Sequence, residues 1–402
     1  MAAPEVYSLA QGPITAHAFN QDRSQVAVSL NSKDVQIFSK AVNDWKATET
    51  LSEHDKLITS IDWAPNSNRI VTASQDRNAY VWSQISDSQT GRLEWKPTLV
   101  LLNINRAATF VRWSPFENKF AVASGARAIA ICSFDEESNW WVSKLLKKPI
   151  RSTVLSIDWH PNNVLLAAGS ADMKARVFSA YIKDVDKKPA PTFWGEKLPF
   201  GTVCGEFASS AGGWVHTVSF SPSGDVLAFA GHDSTISIVY SGSGPAVRTV
   251  RMSTLPLVTL VWASEDSIIA AGHDCQPYVF SGSEGGWKLI GSLDDTSAPK
   301  SALTPSRFSP GGPGRLNSAA FNTFKNADSR GISNAGAGGG SSQGESELFT
   351  VHQNTITSVR PYEGQSETTT KVSTTGVDGK LIIWNVGSVA TLTAKLGSTH
   401  LR

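Results

Sequence analysis

One short pattern is written seven times along this chain, and few architectures can absorb such repetition. Residues 54 to 82 read HDKLITSIDWAPNSNRIVTASQDRNAYVW. Apolar and polar residues alternate over Ile58 to Trp63, which predicts a half-buried strand. A turn at Ala64-Pro65-Asn66 follows, then a strand from Arg69 to Ser74, a tight turn at Gln75-Asp76-Arg77, and a strand ending at Trp82. With the residue six after the turn aspartate as marker, the copies end at Phe38, Trp82, Cys132, Phe178, Val239, Phe280 and Trp384. The gaps between markers are 44, 50, 46, 61, 41 and 104 residues, so two copies are followed by extra chain. The turn aspartate is present as Asp76, Asp172, Asp233, Asp274 and Asp378; Ser32 and Ala126 replace it in the first and third copies. The first strand recurs as SIDW (Ser60–Trp63 and Ser156–Trp159), FVRW (Phe110–Trp113), TVSF (Thr217–Phe220) and TLVW (Thr259–Trp262).

This pattern resembles the WD-repeat family, whose blades run to roughly 40–45 residues. The expected fold is all-β: a single seven-bladed propeller over residues 1–402, with a long flexible insert before the last blade. An aspartate in the inter-strand turn can accept hydrogen bonds from backbone N–H groups and a nearby histidine. The family's polar network reads in the second copy as His54, Ser74, Asp76 and Trp82. In the seventh copy His352, Asp378 and Trp384 match, but Gly376 stands where the serine belongs, so that network is expected to be incomplete. His, Ser and Asp in one repeat are read as structural and not as a catalytic triad, because the set recurs with the blades and needs no cleft. Val6-Tyr7-Ser8-Leu9 is a lone strand ahead of the first copy. A strand over 5–10 is expected to add to the last blade and close the ring.

The long gaps mark two interruptions. Residues 181–212 read as an extended loop between the fourth and fifth blades, packed by Phe193, Trp194 and Phe200. Residues 294–350 contain 9 Gly, 10 Ser and 4 Pro among 57, too few apolar groups to offset the entropy of ordering them. Within that insert residues 315–327 lack Gly and Pro, and Leu316, Ala320 and Phe324 fall at i, i+4 and i+8 beside Phe321. That spacing predicts an amphipathic helix of about three turns, marginal alone in water. Two phenylalanines on a tethered helix either dock back on the propeller or anchor a partner.

Composition excludes several classes. Lys+Arg number 36 against Asp+Glu 35, a net charge of +1, so no global field recruits nucleic acid or anionic lipid. No run approaches the roughly 18 apolar residues of a membrane span, and no signal peptide is visible. Cys132, Cys204 and Cys275 are far apart and odd in number, which argues against a disulfide framework or a Cys-rich zinc site and fits a reducing cytosol. Gly231-His232-Asp233 and Gly272-His273-Asp274 fall at the repeat's turn, so turn architecture and not a metal is expected. No cofactor and no catalytic residue is expected: no phosphate loop, HExxH or nucleophile elbow occurs in its required context. Lys144 to Arg151 is a short basic run after Trp140-Trp141, read as a solvated outer strand and loop, with contact to an acidic partner as the alternative.

Longer stretches are more specific than a generic repeat. SQDRNAYVW (Ser74–Trp82), NRAATFVRWSP (Asn105–Pro115), NKFAVASGAR (Asn118–Arg127), NWWVSKLLKKPIRSTVLSIDWHPNNVLLAAGSAD (Asn139–Asp172), GGWVHTVSFSPSG (Gly212–Gly224) and the late insert resemble the family of WD-repeat subunits of the actin-related protein 2/3 complex. The resemblance covers essentially the whole chain. It implies a non-enzymatic scaffold in a seven-member assembly that nucleates actin branches, found in the cytoplasm at cortical actin patches. It implies that the insert helix contacts the mother actin filament through Arg315, Leu316, Phe321, Phe324 and Lys325, and that nucleation-promoting factors bind nearby. It implies no nucleic acid and no direct membrane insertion. The alternative reading is a WD-repeat adaptor of another assembly, a ligase receptor or coat component.

Overall fold

The computed structural model describes residues 3–86, 91–196, 198–209, 211–241, 246–294, 348, 350–365 and 368–387. The chain divides into two units, Met1–Asp295 with Thr350–Arg402, and Thr296–Phe349; of the second only Leu348 is described. The helix expected over 315–327 therefore lies outside the described residues. Every regular element among the described residues is a strand, and the strands form seven antiparallel four-stranded sheets. The fold is a seven-bladed β-propeller.

Strand β1 (Glu5–Ser8) precedes the first complete blade, which comprises β2 (Ala16–Phe19), β3 (Gln25–Ser29), β4 (Asp34–Lys40) and β5 (Trp45–Ser52). The second comprises β6 (Ile58–Ala64), β7 (Arg69–Ser74), β8 (Asn78–Ser86) and β9 (Leu93–Leu101). The third comprises β10 (Ala108–Trp113), β11 (Lys119–Ser124), β12 (Ala128–Asp135) and β13 (Trp140–Leu146). The fourth comprises β14 (Val154–Trp159), β15 (Leu165–Ser170), β16 (Ala175–Ser179) and β17 (Val203–Phe207). The fifth comprises β18 (Val215–Phe220), β19 (Val226–Gly231), β20 (Thr235–Tyr240) and β21 (Ala246–Arg251). The sixth comprises β22 (Leu257–Ser264), β23 (Ser267–Gly272), β24 (Tyr278–Ser283) and β25 (Gly286–Ser292). The seventh takes β26 (Ile356–Gln365), β27 (Thr368–Gly376) and β28 (Lys380–Asn385) from the end of the chain and β1 from its beginning.

The seven sequence markers occupy one structural position. Each sits in the third strand of its blade, opposite an apolar residue of the second: Val26 faces Phe38, Ile70 faces Trp82, and Phe120 faces Cys132. Leu166 likewise faces Phe178, Leu227 faces Val239, Ile268 faces Phe280, and Val372 faces Trp384. Register is pinned because a one-residue slip would turn each of these buried groups outward. Six inner strands also carry a bulge near their start, for example between Ile58 and Ser60 and between Val215 and Thr217. The skipped residues include Thr59, His216, Val258 and Thr357, and all four line the central channel.

Blades are joined by apolar packing between neighbours. Among the described residues the core falls into seven clusters, each shared by two consecutive blades. One of them joins Phe19, Phe38 and Trp45 of the first blade to Tyr362, Leu381 and Ile383 of the seventh, so the ring is closed. β1 runs antiparallel along β28, from Glu5 opposite Ile383 to Ser8 opposite Lys380.

The segment 181–212 differs from the expected loop. Val203–Phe207 is a strand, β17, the outer strand of the fourth blade, so the excursion occurs within that blade and before its last strand. Gly205 permits this: a Cβ there would lie 2.6 Å from the Phe207 ring. Trp194 is buried, donates its indole N–H to the Gly224 carbonyl at 2.8 Å and packs edge-on against Phe207 and Phe220. Phe193 beside it is 69% exposed and does not pack inward.

Candidate functional site

In the second blade β7 and β8 bring a hydroxyl and an indole under the turn that carries Asp76. His54 Nδ1 lies 2.7 Å from Asp76 Oδ2, and its Nε2 lies 2.8 Å from Thr72 Oγ1. Trp82 Nε1 donates to the same Thr72 oxygen at 3.1 Å. An indole can only donate. The arrangement that satisfies every group has Thr72 accepting from Trp82 and donating to His54 Nε2, with Nδ1–H donating to Asp76. Thr72, not Ser74, is thus the relay. Ser74 instead donates to the Lys56 carbonyl at 2.9 Å and accepts the Asp76 N–H at 3.2 Å, fastening the turn. Burial alone would raise the Asp76 carboxyl, but the bonds from His54 and the Asn78 and Asp55 N–H groups outweigh it and hold it below the ordinary value.

The seventh blade repeats this set in full, against the expectation that Gly376 interrupts it. Trp384 Nε1 donates to Thr374 Oγ1 at 2.8 Å, Thr374 lies 2.7 Å from His352 Nε2, and His352 Nδ1 lies 3.1 Å from Asp378. The relay hydroxyl is two residues ahead of Gly376, so nothing is missing. A Cβ at Gly376 would lie 2.8 Å from Asp378 Oδ1 and 3.0 Å from His352 Nδ1, which accounts for the glycine.

The remaining turn aspartates keep the carboxylate and change its partners. Asp172 receives both oxygens' bonds from Arg176 Nη1 at 2.9 Å, plus the Arg151 N–H. Asp233 accepts from Ser209 and from Thr235 Oγ1 at 2.7 Å. Asp274 accepts the Leu255 N–H at 3.0 Å and the Tyr278 hydroxyl at 3.3 Å; burial dominates there and raises its pKa. In four blades the turn carboxylate takes an N–H from the loop entering that blade, from Asp55, Arg151, Leu255 or Gln353. His232 sits 2.9 Å from His216, and His273 sits 3.2 Å from the Thr355 hydroxyl. Among the described residues no group of three or more His, Cys, Asp or Glu could hold a metal ion.

A charged cluster at the channel was not anticipated. Arg360 reaches from the seventh blade to the second, donating to Asp62 Oδ1 and the Ile61 carbonyl, both at 2.6 Å. Asp62 Oδ2 accepts the Trp113 N–H of the next blade at 2.8 Å, and Asp158 Oδ2 accepts the Phe220 N–H in the same way. Arg112 lies alongside; burial, reinforced by Arg360, pushes its pKa down to about 10. The signal was present in the sequence: SIDW occurs twice, and both aspartates perform this inter-blade task. Arg315, Leu316, Phe321, Phe324 and Lys325 lie outside the described residues.

The relay assignment separates two variants. Thr72→Val strands a buried indole N–H and is expected to destabilise by about 1–3 kcal/mol, whereas Ser74→Ala forfeits ordinary bonds worth about 0.5–1.5 kcal/mol. Urea midpoints decide this, and equal losses would contradict the geometry.

Three segments, 45–83, 144–179 and 201–239, match the family described as WD domain, G-beta repeat. Each takes in the outer strand of one blade, wholly or in part, and ends in the third strand of the next. That offset is the one by which β1 completes the last blade. Fold and polar networks together define a WD-repeat β-propeller. Over 394 residues the chain is 48% identical to actin-related protein 2/3 complex subunit 1 of Schizosaccharomyces pombe, covering 96% of this chain and 100% of that protein. It is 50% identical over 375 residues to subunit 1A-B of Xenopus laevis, covering 93% of this chain and 94% of the relative. It is 40% identical over 387 residues to subunit 1 of Saccharomyces cerevisiae, covering 95% and 97%. The chain belongs to the family of actin-related protein 2/3 complex subunit 1.

Proposed function

We propose that this chain is a non-catalytic scaffold subunit of the seven-member actin-related protein 2/3 complex, supporting actin filament nucleation and branching. The observation that carries the reading is near-half identity running end to end with relatives that bear that subunit's name. The physics of the fold supports it. A closed ring offers loops on two faces and a rim, and partners that dock on preformed surfaces lose little binding energy to ordering. The His54 and His352 networks consume their hydrogen-bonding capacity internally, which suits structure and not turnover. The six other subunits are its obligate partners, and it works in the cytoplasm at cortical actin patches, where acidic nucleation-promoting factors engage the assembly.

Within that role, the insert contacts the mother filament through Arg315, Leu316, Phe321, Phe324 and Lys325. The test of the reading is composition: affinity purification of the tagged chain under mild salt, with mass spectrometry, should return six further chains in fixed ratio. A stoichiometric monomer would sink it. Replacing Phe321 and Phe324 together by Ala is expected to weaken filament binding by roughly a hundredfold or more, since buried aromatic anchors are worth about 2 kcal/mol each at protein interfaces. The melting temperature should barely move; a large drop would show instead that these side chains pack on the propeller.

A further inference from the structure

A net charge of +1 conceals a local concentration of cations. In an antiparallel blade the turn between the second and third strands shares one end with the loops that enter and leave the blade. Backbone bonds make this explicit: Gln75 N–H donates to Leu57 O, Gly125 N–H to Ala107 O, and Ala171 N–H to Thr153 O. At that end of the third blade lie residues 102–107, 125–127 and 147–153. They carry Arg106, Arg127, Lys147, Lys148 and Arg151 and no carboxylate. Ala126 occupies the position that holds an aspartate in five other blades, so even the turn's usual negative charge is absent. Arg77 extends the array onto the second blade, where Glu53 and Asp55 of the entering loop are exposed at the same end and set its edge. All six side chains are exposed, and among the described residues none forms an ion pair. The acidic residues of this blade's hairpin, Asp135, Glu136 and Glu137, are at the opposite end.

Backbone geometry adds a second observation. Arg77 and Arg127 hold φ of 75° and 56°. That left-handed conformation is one glycine adopts at no steric cost, and Gly379 fills the corresponding position in the seventh blade with φ 74°. Met173, Ser234 and Cys275 hold the same left-handed position in the fourth to sixth blades, and in the adjacent second and third blades it carries a long, exposed cation.

We propose that this face, centred on the third blade, is a peripheral docking surface for an anionic lipid bilayer. The six cations stand on separate loops of neighbouring blades that open on one face, so the array is two-dimensional. A plane of headgroups meets all of them together, whereas an extended acidic chain crosses only some. Each Lys or Arg held near an anionic membrane surface adds roughly fivefold to affinity, and the attraction fades beyond a Debye length. The surface binds peripherally, and no apolar segment enters the bilayer.

Vesicle co-sedimentation of the full chain, in the assembly in which it purifies, tests this. Binding is expected to phosphatidylcholine vesicles containing phosphatidylserine, not to phosphatidylcholine alone, and to weaken as salt is raised. Arg106→Gln, Arg127→Gln and Arg151→Gln combined should lower that affinity by roughly a hundredfold. Lys46→Gln, Lys96→Gln and Lys288→Gln on outer strands should leave it unchanged, and urea midpoints confirm that both variants fold. Undiminished vesicle binding by the arginine triple overturns the proposal. So does capture of polyglutamate by the wild-type chain, lost in that triple, with no binding to anionic vesicles.

Discussion

Deleting residues 1–9 is expected to unfasten the ring and leave a protein that self-associates. β1 is the outer strand of the seventh blade, and it comes from the opposite end of the chain. Its loss removes four paired residues and the bond from the Leu9 N–H to the Gly379 carbonyl, at 3.1 Å. Tyr7, edge-on to Trp45 with ring centroids 6.4 Å apart, links this strand to the first blade, and Leu9 packs on the same apolar cluster. At about 1 kcal/mol net per backbone bond and about 1.5–3 kcal/mol for each large apolar group, partly discounted for exposure, the loss is about 4–8 kcal/mol. That is comparable with the whole stability of a typical domain, about 5–15 kcal/mol. The consequence exceeds the energy, because β28 then becomes a free edge reading KLIIWN, an apolar strand with one terminal charge. Light scattering with a urea titration decides it. A monomeric profile with an unshifted midpoint would mean that the ring does not depend on this clasp.

Much of this architecture was legible because it is periodic. Seven markers, 41–50 residues apart except across the two interruptions, fix seven third strands, and each lands opposite an apolar residue of the second. What periodicity cannot supply is depth along a strand. Thr72 and Ser74 are two residues apart and so share a face of β7, and only the tilt of the His54 ring decides which hydroxyl it meets. The same ambiguity made Gly376 look like a defect, when it marks the place where a side chain would collide with Asp378. β17 was not legible because it is short, interrupted by Gly205 and only partly buried, so it has no alternation to read. The Arg360 contact with Asp62 joins residues 298 apart, across a channel that no local pattern encodes. Net charge was likewise uninformative, because folding and not composition gathers five cations at one end of one blade.

The excursion before β17 has its own anchor, the buried pair of Lys119 and Asp186. Lys119→Met should destabilise the protein by about 3–5 kcal/mol, the cost of leaving one member of a buried ion pair uncompensated. Lys119 and Asp186 side chains are 0% and 1% exposed, and the ammonium donates to Asp186 and, at 3.1 Å, to the Ala180 carbonyl. Burial pushes the Lys119 pKa down, and the Asp186 carboxylate opposes the shift. Asp186 also accepts the Ile182 N–H at 2.8 Å and the Asn163 amide at 3.1 Å, so one carboxylate fixes the turn at 182–186 against the third and fourth blades. Adding Asp186→Asn to Lys119→Met removes the stranded charge, so the double variant should recover part of the loss. A double-mutant cycle in urea measures that coupling, and strictly additive losses would show that the two groups do not depend on each other. The pair also positions Lys187, Lys188 and Pro189, which line a cavity of about 350 Å³ with Phe116 and Asn162. In the single variant, proteolysis within 187–190 should therefore accelerate before global unfolding does, because the carboxylate that tied this loop to the body would be seeking water.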